Sequence, residues 1–141
     1  MSNIARPEFR SELATIESQQ FEEFIAELWE LDGWETQVTG VVEENAIDVI
    51  AVKNELIQRK EVIQIKQLDP DKLVTPSAVR NCNSSRHYQQ NADSSILITN
   101  TGFSDDAEIL ADNLNVKTVS GEGLYEHLIE SNRFDYFYEY I

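Results

Sequence analysis

Apolar positions in this chain change period several times, and each change marks an element. Phe21, Phe24, Ile25, Leu28, Trp29 and Leu31 fall on one broad face at about 100° per residue, while Glu23, Glu27 and Glu30 lie opposite. This predicts an amphipathic helix from Gln19 to Leu31, capped by Ser18 and closed by Gly33. From Trp34 the period shortens to two, predicting strands over Trp34–Val42, Ala46–Val52 and Glu61–Gln67, with Glu43-Glu44-Asn45 as the turn into the second. A loop around Asp69-Pro70-Asp71 leads to a helix from Pro76 to Gln90. The continuous run Ser95-Ile96-Leu97-Ile98-Thr99 reads as a buried strand. Ser104-Asp105-Asp106 then caps a helix with Ala107, Leu110, Ala111 and Leu114 as its apolar stripe. Val116–Val119 forms a last strand, and Leu124, Leu128 and Ile129 mark a final helix.

Strand parity puts Gln64 and Lys66 on one face of their strand and Ile63 and Ile65 on the other. A half-solvated strand with a polar outer face accounts for this. So does a catalytic strand: Asp48 on the preceding strand, joined by a hairpin, brings a carboxylate, an amide and an ammonium near one point. That trio suits metal-assisted phosphodiester hydrolysis, in which the carboxylate holds Mg²⁺ and the lysine orients water or offsets transition-state charge. An unpaired carboxylate in an apolar strand is costly, so Asp48 calls for a metal, a basic partner or strand-end water. Glu22 stands at the margin of the first helix's buried arc, where a carboxylate either meets a partner or bends out to water. Parity turns Glu61 away from Gln64 and Lys66, so it is read as structural.

Ile47-Asp48-Val49-Ile50-Ala51 and Val62-Ile63-Gln64-Ile65-Lys66 resemble two elements of the PD-(D/E)xK nuclease superfamily, and more closely of its Mrr-like restriction endonuclease branch. In that branch Gln stands in for the usual acidic residue. Phe21-Glu22 and the segment Ile98 to Ser104 extend the resemblance, which covers roughly residues 18 to 130. It departs from the family pattern at Ala46, where Gly is usual. The resemblance implies a restriction-endonuclease-like αβββαβ core, a mixed central sheet flanked by helices. It also implies Mg²⁺, with Mn²⁺ as a substitute, held by Asp48, Gln64, the Ile65 carbonyl and Glu22. Asp48, Gln64, Lys66 and Glu22 become the catalytic set.

Composition alters this picture in one respect. The formal charge of −15 opposes binding to a polyanion, yet residues 53 to 86 carry seven basic residues against four acidic ones. Lys53, Arg59, Lys60, Lys72, Arg80 and Arg86 are therefore the expected DNA contacts, with His87 and Tyr88 as further candidates; chance clustering on a solvated face is the plainer account. The excess of acid with only five lysines also suggests a halophilic source. A single cysteine, Cys82, rules out an intrachain disulfide and is read as buried and inert. With no signal-like N-terminus and no membrane-length apolar run, the expectation is a soluble cytoplasmic protein.

The expected organisation is an N-terminal extension over residues 1–17, a nuclease-like domain over 18–131, and an aromatic segment over 132–141 packed on the domain or on a second subunit. These readings converge on a Mg²⁺-dependent DNA endonuclease, Mrr-like or structure-selective, acting as a homodimer. The alternative is a non-catalytic nucleic-acid-binding or assembly protein that keeps the fold, a reading favoured by Gln64.

Overall fold

The computed structural model of the chain describes residues 3–39, 47–87 and 92–141. The turn expected at Glu43-Glu44-Asn45, the departure at Ala46 and the candidate Tyr88 lie outside the described residues. Two helices come first, α1 (Arg6–Thr15) and α2 (Ser18–Glu30). A meander follows, β1 (Glu35–Val38), β2 (Val49–Lys53) and β3 (Arg59–Lys66); then come α3 (Pro76–Ser85), β4 (Ser94–Thr99), α4 (Asp105–Leu114), β5 (Lys117–Val119) and α5 (Gly121–Glu130). The chain closes with α6 (Phe134–Phe137) and a 3₁₀ turn over Tyr138–Tyr140. The sheet runs in sequence order β1-β2-β3-β4-β5. β1, β2 and β3 pair antiparallel, whereas β3, β4 and β5 pair parallel through the α3 and α4 crossovers. This is the mixed sheet that the resemblance implies.

Register decides which helices each strand residue meets. Ile63 pairs with Val49 on one side and Ile96 on the other, and Ile65 pairs with Ile98. These residues join Phe9, Leu13, Phe21, Phe24, Ile25 and Leu28 in the larger core, beneath α1 and α2. Gln64 pairs with Leu97, which packs instead with Val79, Cys82 and Ala107 beneath α3 and α4. The face carrying Gln64 is thus the α3 face.

Local chemistry accounts for the element ends. Gly33 closes α2 with φ +94°, a conformation that costs glycine least. Ser104 caps α4 by accepting from the Ala107 N–H at 3.1 Å, and Asn115 ends it in the left-handed region. Thr75 precedes Pro76 at the start of α3, as the sequence predicts. Glu17, not Ser18, occupies the cap position of α2, with no side-chain hydrogen bond there. Glu27, expected to be solvated, is half-buried and accepts from the Tyr140 hydroxyl at 2.9 Å.

Both ends of the chain pack into the larger core. Phe9 and Leu13 of α1 are fully buried, although the segment carries only a weak periodic signal. Phe137 lies 4.8 Å from Phe9 and 5.1 Å from Phe24 between ring centroids, so the aromatic segment is seated on α1 and α2. Each such phenylalanine contributes on the order of 1.5–3 kcal/mol by leaving water. Among the described residues, no helix is long and apolar enough to cross a membrane.

Candidate active site

Asp48 sits immediately before β2 rather than inside it, because the strand starts at Val49, three residues after the expected Ala46. Backbone bonding nevertheless reaches it, because its N–H donates to the Ile63 carbonyl at 2.9 Å. The regular ladder ends at the Val49–Ile63 pair, and the Asp48 N–H, by bonding the Ile63 carbonyl rather than that of Gln64, departs from regular register as at a bulge. The Asp48 carboxylate Oδ2 accepts from the Ile65 N–H at 2.6 Å, tying it to the backbone between Gln64 and Lys66. Burial pushes the Asp48 carboxyl above its ordinary range, and the Ile65 N–H and the Lys66 charge pull it back.

Glu22 approaches from α2. Its carboxyl is pushed up to about 7, first by burial, then by the like charge of Asp48 and by Glu23. Two acids that oppose one another's ionisation beside a lysine form the kind of cluster that a cation relieves. Gln64 is buried at 3% exposure, and its Oε1 accepts no hydrogen bond from any described residue. An orphaned buried oxygen is costly, and a bound ion or water is a usual reason for one. Among the described residues, no three His, Cys, Asp or Glu side chains gather to hold a metal. The donor set is two carboxylates, one amide oxygen and a backbone carbonyl, all hard oxygen donors of the type Mg²⁺ takes. The residues present therefore fit the metal that the family resemblance implies.

Neighbouring elements fix β3 at this end. Thr99 on β4 donates its hydroxyl to the Lys66 carbonyl at 2.8 Å. The buried Asn100 side chain makes two hydrogen bonds to the Leu68 backbone, accepting from its N–H at 2.7 Å and donating to its carbonyl at 2.8 Å. Gln67 reaches the other way, its Nε2 donating to Leu13 O at 2.9 Å and Ile16 O at 2.7 Å. It thereby ties the residue after Lys66 to the α1–α2 junction, and so to the helix that carries Glu22. Sequence reasoning passed over Gln67 and Asn100, because periodicity says nothing about a side chain that bonds backbone far away in number.

Glu61 pairs with Ala51 on the α2 face, buried at 5% exposure, accepting from the Trp29 indole at 2.9 Å with Lys117 Nζ at 3.5 Å. It is a structural acid, as parity predicts. The expected DNA-contacting cations divide into groups. Lys53, Arg59 and Lys60 stand at the hairpin end of β2 and β3, opposite to Asp48 and Lys66 along the strands. Five residues of strand separate Asp48 from Lys53, roughly 16 Å. Lys72 is exposed in the loop after β3, Arg80 is exposed on α3, and Arg86 is half-buried with Nη2 donating to Asn83 Oδ1 at 3.3 Å. His87 is exposed at the end of α3.

The structure resembles that of a protein of unknown function, AF1548, with a TM-score of 0.60 and 22% identity over 72% of this chain and 57% of the other. It also resembles the MspJI restriction endonuclease solved with a 27-mer oligonucleotide, with a TM-score of 0.54 and 16% identity over 77% of this chain and 27% of that one. At these identities the likeness speaks to fold, and this chain spans just over half of the first protein's length and about a quarter of the second's. No curated protein sequence matches the chain. Residues 13–128 match the sequence profile of the Mrr catalytic domain, described as a restriction endonuclease, and cover both Asp48 and Lys66. The chain accordingly belongs to the Mrr-type restriction endonuclease family, within the PD-(D/E)xK nucleases.

Proposed function

We propose that this chain is a Mg²⁺-dependent DNA endonuclease that hydrolyses phosphodiester bonds, with Asp48, Gln64, Lys66 and Glu22 as its working residues. The reading rests on one observation: the Asp48 carboxylate is bonded to the Ile65 N–H, between Gln64 with its orphaned Oε1 and Lys66, where β2 and β3 meet. Asp48, Gln64 Oε1, the Ile65 carbonyl and Glu22 would hold the cation. Bound there, Mg²⁺ supplies Lewis-acid stabilisation of charge on the phosphoryl oxygens. Lys66 brings a positive charge close to Asp48, suited to orienting the attacking water and offsetting negative charge as it builds on phosphorus. The Ile65 N–H bond holds the Asp48 carboxylate in one orientation, so little reorganisation accompanies the reaction. Cutting both strands needs two such sites or one repositioned, and a homodimer is the simplest arrangement. The soluble, cytoplasmic setting expected from the sequence suits such an enzyme.

The second reading, a DNA-binding or assembly protein without catalysis, draws on the small number of carboxylates at the site. A cleavage assay on duplex, methylated and branched DNA separates the two, run with Mg²⁺ or Mn²⁺ over a range of salt. Cleavage by the wild type should fall by on the order of 10²–10³-fold or more in Asp48→Ala and in Lys66→Ala. Equal activity in all three proteins would falsify the assigned site, and DNA binding without cleavage under every metal condition would establish the second reading.

A further inference from the structure

The loop between β2 and β3, residues 54–58, exposes its apolar residues. Leu56 is 102% exposed and Ile57 77%, adjacent bulky aliphatics at the outermost point of the hairpin. Two such side chains gain nothing from folding and carry an aggregation cost, so their placement calls for a partner. The loop is held in shape: Gln58 Nε2 donates to Asn54 Oδ1 at 2.8 Å across its base. Just below, the Arg59 guanidinium lies 5.2 Å from the Trp34 ring centroid and Lys53 Nζ lies 5.7 Å from it. Both cations are thus packed against an aromatic platform. Lys53, Arg59 and Lys60 stand against Glu55, whose carboxylate is 3.9 Å from Lys53 Nζ. This stretch is net positive in a chain of −15.

From this we infer that the β2–β3 hairpin tip is a second DNA contact, in which Leu56 and Ile57 enter the minor groove as an apolar wedge and Lys53, Arg59 and Lys60 bind the flanking phosphates. Aliphatic side chains wedged between base steps with cations beside them are how many proteins kink a duplex. Charge argues for this occupant: a polyanion complements the cations, and the groove takes the apolar tip between its phosphates. The tip stands roughly 20 Å from Asp48 along the strands, about six base pairs at 3.4 Å each. The inference rests on the DNA-directed reading above, and it adds that DNA is deformed at a point away from the cut.

The test uses the full chain, without divalent metal, and a roughly 30-base-pair duplex carrying a dye at each end. Binding is read by anisotropy and bending by energy transfer between the dyes. Leu56→Ser/Ile57→Ser should keep the melting temperature of the wild type, because both residues are already in water. It should weaken binding about tenfold, abolish the change in energy transfer and leave the salt dependence unchanged. Arg59→Ala should lower the salt slope by about one, the mark of a lost phosphate contact. Equal affinity and equal energy transfer in the wild type and the double variant overturn the inference while leaving the Asp48 assignment standing. A double variant that differs only in self-association, seen by sedimentation without DNA, makes the tip a protein interface and also overturns it. A wild type with no affinity for DNA removes this inference and the proposed function together.

Discussion

Glu22 and Asp48 place two carboxyl groups where each makes the other harder to ionise, and the consequence is measurable without any substrate. A carboxyl raised in the folded state to about 7, against an ordinary 4.5, keeps its proton longer than it does in the unfolded chain. The native state then binds more protons between those values, so stability falls as pH rises from about 4.5 to about 7 and levels off above. Asp48 is shifted in the same direction. Thermal denaturation in EDTA should show this decline, made modest by the partial exposure of Glu22, and Glu22→Gln should flatten it. A melting temperature that rises over that interval and is unaffected by Glu22→Gln would contradict the pairing. Glu61 offers the complementary case. Glu61→Ala leaves the half-buried Trp29 indole N–H without its acceptor and should cost about 1–3 kcal/mol in denaturant unfolding, with DNA cleavage per folded molecule unchanged. At this scale alternation correctly set Glu61 on the face opposite to Gln64, because it follows from backbone geometry, whereas Asp48, expected within a strand, stands just before β2. The sequence was silent on the burial of the Gln64 oxygen, which depends on where α3 packs.

Among the elements, β3 organises the rest, and its end is secured by residues with no periodic signature. Gln67→Ala removes the donor to Leu13 O and Ile16 O and loosens the α1–α2 junction from the end of the strand. We expect a loss of about 1–2 kcal/mol of stability together with weaker Mn²⁺ affinity, measured by calorimetry, since Glu22 rides on α2. Gln67→Arg keeps N–H donors for the same carbonyls and should recover part of both. Gly121 is a second such point. A Cβ there would come within 2.1 Å of the Asn100 carbonyl oxygen and 2.8 Å of its carbon, both backbone atoms. Gly121→Ala should therefore destabilise by several kcal/mol, at the upper end of single substitutions, as α5 is pushed off the β4 end. The order of helices and strands was readable because each carries its own period, and the parallel crossovers followed from an intervening helix. The first helix was harder to read: Phe9 and Leu13 are its only fully buried side chains, and two apolar residues do not establish a period. Its importance comes from the aromatic residues of the distant C-terminal segment, which no local pattern reveals.

Taken as a whole, the molecule closes a ring of aromatic contacts between its first helix and its last residues. Phe137→Ala should cost about 3–5 kcal/mol through the cavity left against Phe9 and Phe24, and should lower the melting temperature accordingly. The surplus acid should make the fold salt-responsive, with a higher melting temperature at molar KCl, where like charges are screened beyond ~3 Å. The same screening weakens phosphate contacts at the positive patches, so the salt optimum for cleavage should lie below that for stability. Cys82 supplies one more consequence. It belongs to α3 and is fully buried on the side of the helix that packs with Leu97 of β4, its thiol pushed up to about 12, mainly by burial. So little thiolate forms near neutrality that a maleimide or disulfide reagent must wait for α3 to lift from the sheet. The chain therefore carries its own stopwatch: the pace at which this sulfur is alkylated reports how often the lid of packing beside Gln64 and Lys66 comes loose, and a divalent ion that braces those residues should slow the ticking.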